Sequence, residues 1–187
     1  MNKTPIDFSA PLVSTTWLAA HLETGGVRII DGTYFLPSVE RNASMEFEAE
    51  HIPGAIFFDI DDIKDPTSDL PHMLPPAEIF SSRVRKMGIS DSDFIVVYDR
   101  LGFFSSPRIW WTFQVFGHTR IAVLDGGLPK WLIEKLPVTH KKSKLKNGHF
   151  TAHLNTKFLR TYDQIRNNLD TSNELLIDGR PADRFSG

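Results

Sequence analysis

DFIVVYDRLGFFSSPRIWWTFQVFG, residues 93–117, is the stretch from which the fold can be read. Phe94–Tyr98 is an unbroken apolar run rich in Ile and Val. A strand with no polar face belongs in the middle of a sheet that is covered on both sides. Asp99 ends the run, and the loop DRLGFFSS follows. Pro107 then suits the first turn of a helix, where a missing N–H costs nothing. Trp110, Trp111, Phe113 and Phe116 recur at helical spacing, which predicts the core face of that helix.

The same unit repeats to either side. Ser14 is an N-cap candidate before TTWLAAHLE, with Leu18 and Leu22 one turn apart, and Gly25-Gly26 close the helix. VRII (27–30) reads as a buried strand ending on Asp31, and AIFF (55–58) as another beyond a short helix near 44–50. Residues 61–74 are rich in Asp and Pro and predict a long loop. A helix from Ala77 to Met87 precedes the opening stretch; IAVL (121–124) and a helix in LPKWLIEK follow it. Strands alternating with helices, most strands apolar on both faces, predict an α/β fold: a parallel sheet with helices on both faces. Ligands of such sheets bind beyond the carboxyl ends of the strands. The loops after Asp31, Phe58 and Tyr98 are therefore where a site is expected.

Composition narrows the chemistry. The 187 residues carry a net charge of −2 and no cysteine, so thiolate catalysis, disulfides and cysteine-bound metals are excluded within the chain. The seven histidines include no H-E-x-x-H motif, and neither a metal nor a cofactor is expected. No basic stripe suggests nucleic acid, and no apolar run approaches the ~18 residues of a membrane helix. MNKTPIDFSAPL lacks the apolar centre of a secretory signal, so a cytoplasmic location is expected.

PVTHKKSKLK (137–146) is polar and basic and reads as an exposed linker, with its surroundings spanning 137–158. Beyond it the pattern begins again. Aligning Asp178-Gly179 with Asp31-Gly32 brings Thr161 to Ser14, Ile165 to Leu18, Leu169 to Leu22 and Leu176-Ile177 to Ile29-Ile30, without a gap. The expected organisation is a first domain at 10–136 and, at 159–187, the truncated start of a second copy. That start comprises one helix and one strand, and a lone strand must pack, pair elsewhere or stay disordered.

Six strings in order resemble the rhodanese and 3-mercaptopyruvate sulfurtransferase family: LVSTTWLAAHL, HIPGAIFFDID, PHMLP, VVYD…SSPRIWWTFQVFGH, VLDGGLPKW and IDGRPADRF. They cover almost the whole chain. The resemblance implies two rhodanese domains in tandem. The first would be catalytically silent, and the second would supply a cysteine in a loop of backbone N–H groups. That thiolate would take sulfur from a small-molecule donor, 3-mercaptopyruvate or thiosulfate, and pass it to cyanide, a thiol or thioredoxin.

Residue by residue, the resemblance places Asp99 where the silent domain's counterpart of the nucleophile lies. A carboxylate cannot carry sulfane sulfur, so a structural role at the strand end is expected; a phosphoryl-acceptor role is the remote alternative. His72 of PHMLP and Asp61 of FFDID resemble two members of a Ser-His-Asp relay in the mercaptopyruvate branch, the thiosulfate branch tending to lack the histidine. Arg180 corresponds to the arginine that binds the donor's negative group. Arg184, in the same motif, is a second substrate-binding candidate with an ion-pair role as its alternative. Phe104 stands where the family often has tyrosine, which removes a hydroxyl from the cleft. Arg108 is expected to anchor its helix, and His51 to order the HIPGA turn. A thiosulfate:cyanide sulfurtransferase and a non-catalytic binding module remain the alternatives.

Overall fold

The computed structural model describes residues 10–187; the first nine, on which part of the no-leader expectation rests, lie outside it. The chain divides into two compact units, the first ending at Asn155 and the second running from Thr156 to Gly187.

The first unit is built on five parallel strands: β1 (Leu12–Val13), β2 (Val27–Asp31), β3 (Ala55–Phe57), β4 (Phe94–Tyr98) and β5 (Ile121–Leu124). Their order across the sheet is β1-β5-β4-β2-β3, so FIVVY is central, as its composition predicts. Ile29 lies beside Val96, and Val96 beside Ala122. The two-residue edge strand β1 has no apolar run of its own to announce it. It exists because the Pro11 and Val13 carbonyls accept from Val123 and Asp125 N–H on β5.

Alternation along the strands sends two apolar sets in opposite directions. Ile30, Ile95, Val97, Ile121 and Val123 pack with Phe80 and Val84 of α3 (Ala77–Lys86) and Ile109, Phe113 and Phe116 on or just after α4 (Ser106–Val115). Ile29, Val96, Tyr98, Ala122 and Leu124 pack with Leu18 of α1 (Thr15–His21), Phe47 of α2 (Ala43–Ala49), and Leu128 and Trp131 of α5 (Gly127–Ile133). Helices cover both faces. Of the aromatic quartet assigned to the core, Phe113 and Phe116 are buried, whereas Trp110 and Trp111 are partly exposed.

The stretch 137–155 is more than a solvated connector. Lys141, Lys142, Lys144 and Lys146 face solvent as expected, but the backbone is fastened along its length. His51 and Thr139 exchange both backbone hydrogen bonds at 2.8 Å. Gly148 N–H donates to Arg85 O, and a Cβ at Gly148 would lie 2.0 Å from Ile89 O, so this close crossing admits only glycine. Phe150, 1% exposed, inserts its ring edge-on against Phe80 and Phe113. The segment is a strap that closes the α3–α4 face. Nothing in PVTHKKSKLK signals this, because the anchoring residue lies after the basic stretch and the fastening is backbone-mediated.

His51 is fully buried, with Nδ1 on Phe47 O at 2.7 Å, Nε2 on Lys141 O at 3.2 Å, and its ring stacked on Phe47. Its role in ordering the turn extends to holding the strap.

In the second unit, α6 (Tyr162–Thr171) is capped by Thr161, whose hydroxyl accepts from Gln164 N–H while the Gln164 side chain accepts from Thr161 N–H. Ser14 caps α1 in the same way, through Trp17 N–H. The two Asp-Gly exits also match: Asp31 Oδ1 accepts from Thr33 N–H at 3.0 Å, and Asp178 Oδ1 from Arg180 N–H at 2.9 Å. The strand expected to carry Leu176-Ile177 does not form. Leu175 is 86% and Ile177 82% exposed, and an extended segment without a neighbour to take its N–H and C=O groups gains nothing from becoming a strand. A short helix, α7 (Ala182–Ser186), ends the unit.

Candidate functional site

The loops after β2, β3 and β4 meet at the carboxyl ends of the strands and are tied together by polar bonds. Ser105 Oγ donates to Gly32 O at 2.7 Å and accepts from Tyr34 N–H at 3.1 Å. A Cβ on Gly32 would lie 2.0 Å from Ile109 Cδ1, so a side chain at the β2 exit would have to push aside the end of Ile109 on α4.

Asp99 sits at the centre of the loop after β4 and is wholly buried. Its Oδ2 accepts from the backbone N–H of Phe104, Ser105 and Ser106 at 2.8, 3.0 and 2.9 Å, and from the Ser106 hydroxyl at 2.6 Å. Its Oδ1 accepts from Leu101 N–H at 2.8 Å. Successive N–H groups curled around one point form an anion cradle. Here the anion is the chain's own carboxylate. With both oxygens engaged and no surface exposed, Asp99 is closed off from a phosphoryl group, which argues against the phosphoryl-acceptor alternative.

His72 and Asp61 do meet. Their Nε2–Oδ1 distance is 3.0 Å, eleven residues apart on the loop after β3. Lys64 Nζ lies 3.8 Å from the same oxygen. The Tyr34 ring stands edge-on to the imidazole at 4.9 Å, and burial, reinforced by the Asp61 charge, raises the Tyr34 phenol above its ordinary value. Arg108 Nη2 donates to the His72 carbonyl. Residue types alone suggested that Arg108 anchors its helix; they carried no signal of this long-range bond. A cavity of about 260 Å³ opens beside Asp61, lined by Thr33, Tyr34, Arg41, Ser44 and Asp59 among others, and His72 is not in its wall. Phe104 is 50% exposed on the loop after β4, and Phe103 beside it is 59% exposed.

Arg180 and Arg184 belong to the second unit. Arg180 is folded onto Asp178 through Nε at 2.9 Å and Nη2 at 2.6 Å, so the planar fork expected to take a donor's anionic group is satisfied by a neighbouring carboxylate. Arg184 is exposed on α7.

Beneath the loops lies a group that sequence reasoning passed over. Asp31 is fully buried, with Oδ1 on the Thr33 N–H and hydroxyl. Its other oxygen has no partner meeting hydrogen-bond geometry, though the Tyr98 hydroxyl and Arg100 are close enough to influence it. Burial pushes its carboxyl above the ordinary value of 3.8, the Thr33 bonds opposing the shift. The folded state thus binds this proton more tightly than the unfolded state. The contribution to stability is whole below pH 3.8 and is lost as the pH rises through the raised folded-state value. Asp31→Asn is therefore expected to gain stability over the parent steadily from acid toward neutral pH. Urea unfolding at a series of pH values measures it; a difference that is constant with pH would contradict the assignment.

Comparison with known proteins shows the family of the chain. Residues 14–134 match the rhodanese-like domain family. The chain belongs to that family. It is 40% identical to human (Homo sapiens) 3-mercaptopyruvate sulfurtransferase over 182 residues, covering 94% of this chain and 61% of that protein. To thiosulfate sulfurtransferase of Rattus norvegicus it is 42% identical with the same coverage. Its structure matches that of SseA from Escherichia coli, from work on the rhodanese fold of 3-mercaptopyruvate sulfotransferases, with a TM-score of 0.89 and 36% identity, over 94% of this chain and 68% of SseA. The rhodanese chain thus spans about 61% of the length of the curated relatives it matches. Among the described residues, no helix is long and apolar enough to cross a membrane, and no three His, Asp or Glu side chains are grouped to hold a metal.

Proposed function

We propose that this chain is the silent first rhodanese domain (10–136), the strap that fastens to it and leads on as the connection (137–158), and the beginning of the second domain (159–187) of a cytoplasmic two-domain sulfurtransferase acting on 3-mercaptopyruvate. The thiolate of the second domain attacks the donor sulfur. The carbon–sulfur bond breaks, pyruvate leaves after protonation of its enolate carbon, and the cysteine is left as a persulfide. Cyanide, a thiol or thioredoxin then takes the outer sulfur. His72, oriented by Asp61, moves a proton for this step, and Arg180 and Arg184 hold the donor's carboxylate once Asp178 releases Arg180. The observation that carries the reading is the His72–Asp61 bond, whose Asp61 also lines an open cavity, in a domain whose own anion cradle is already filled. The matched caps and Asp-Gly turns of the two units support the tandem arrangement.

The test is turnover of mercaptopyruvate and thiosulfate, side by side, by the natural-length gene product and by the 187-residue chain. The short chain, which has no cysteine, is expected to turn over neither. In the long form, His72→Ala is expected to cut mercaptopyruvate turnover roughly a hundredfold, the scale of a lost acid–base group, and to leave thiosulfate turnover little changed. The 42% identity to a thiosulfate sulfurtransferase favours thiosulfate as the second reading; equal loss on both donors, or preference for thiosulfate, moves the assignment there. A long form that turns over neither donor leaves a binding module.

A further inference from the structure

His72 has a φ of 55°, in the left-handed region that only a few per cent of non-glycine residues occupy. Something must hold it there. Arg108 is the residue placed to do so. Its guanidinium lies over Trp111 at 4.8 Å, its charge is disfavoured by burial, and its Nη2 donates to the carbonyl of His72, 36 residues away. A guanidinium withdrawn from water to serve a single loop carbonyl makes that carbonyl's position matter. The Tyr34 ring meets the imidazole at 80°, limiting its rotation from the other side.

We infer that Arg108 and Tyr34 are positioning residues for His72: Arg108 holds its main chain in the left-handed turn, and Tyr34 braces its ring. The imidazole is thereby kept in the tautomer that donates from Nε2 to Asp61, with Nδ1 open to exchange a proton. The groups facing the ring are Asp61 and, through Asp61, Lys64 on its own loop, Tyr34 from the loop after β2, and Arg108 from α4. The functional consequence rests on the proposed relay; the positioning itself does not.

Imidazole ¹⁵N NMR of the 187-residue chain at neutral pH tests it. The parent should show His72 as one tautomer, protonated at Nε2. Arg108→Met should show both tautomers in exchange at an unchanged melting temperature, and Arg108→Lys, which retains a cation for the carbonyl, should recover most of the single-tautomer signal. Should Arg108→Met fail to fold, Tyr34→Leu serves, since it leaves the cation and removes the brace. A single Nε2–H tautomer in every folded variant overturns the inference. In the natural-length protein, Arg108→Met is expected to lower kcat for mercaptopyruvate about tenfold with KM unchanged, the pattern of a group acting beyond ground-state binding. If His72→Ala leaves that turnover intact, the relay reading fails while the NMR result still decides the positioning role.

Discussion

Asp99→Ala is expected to destabilise the first unit by roughly 3–5 kcal/mol, because it strands several buried donors at once, each costing about 1–3 kcal/mol when unsatisfied. The donors are the N–H groups of Leu101, Phe104, Ser105 and Ser106 and the Ser106 hydroxyl. They cannot simply turn to solvent, since Ser105 and Ser106 are buried and Ser105 is bound to the β2 exit. Asp99→Asn should fall between parent and alanine. The amide retains one accepting oxygen but presents N–H to donors that need an acceptor. Urea unfolding followed by tryptophan fluorescence measures both. A loss below about 1 kcal/mol for alanine would show that water fills the cradle as well as the carboxylate does. The outcome bears on the proposed function: a cradle that requires an internal anion for its stability is closed to a donor's anion, so the silence proposed for this domain would not rest on the missing cysteine alone.

Phe150→Ala should cost about 3–5 kcal/mol, the range for deleting a fully buried phenylalanine. The ring fills the space between Phe80, Phe113 and His118, and its removal leaves a cavity that α3 and α4, anchored to the sheet, cannot close. Arg85 Nε, which holds the Phe150 carbonyl at 2.7 Å, would keep the strap nearby, so the variant should remain folded but melt early. Ending the chain at Leu136 removes the ring together with the backbone bonds from 139 to 155, and that shorter chain should not fold cooperatively. Calorimetry on both distinguishes a strap that is part of the domain from a linker lying on it: in the second case the shortened chain melts like the parent.

The contrast between these two sites shows what can be read along a chain. The Asp99 loop announces its place, because an apolar run must end where the sheet ends, and the next helix begins at Ser106-Pro107. That the carboxylate turns back into the loop is not legible, since it depends on five donors arriving at one point. The strap escaped the sequence reading for a different reason. Its surface is as basic and polar as a linker's, and its buried apolar residues, Phe150 and Ala152, are too few to make a run. Of the site residues, the family strings brought His72 and Asp61 forward together, and they lie in hydrogen-bond contact. Arg108 and Tyr34 had no such signal, because their partners are 36 residues away in one case and a ring edge in the other.

By itself the sequence determined four of the five strands of the first unit and their alternation with helices, the parallel covered sheet, the central place of FIVVY and the caps of α1 and α6, all of which follow from periodicity and neighbours within a few residues. It also determined that no thiol chemistry can occur in this chain. Only the tertiary structure decided that Asp31 is buried with one oxygen unpaired, that Asp99 fills its own cradle, that 137–155 closes the core, and that LLID stays without a partner. Each of these depends on what distant segments place around a group, and burial and hydrogen-bond satisfaction are properties of that surrounding rather than of the residue.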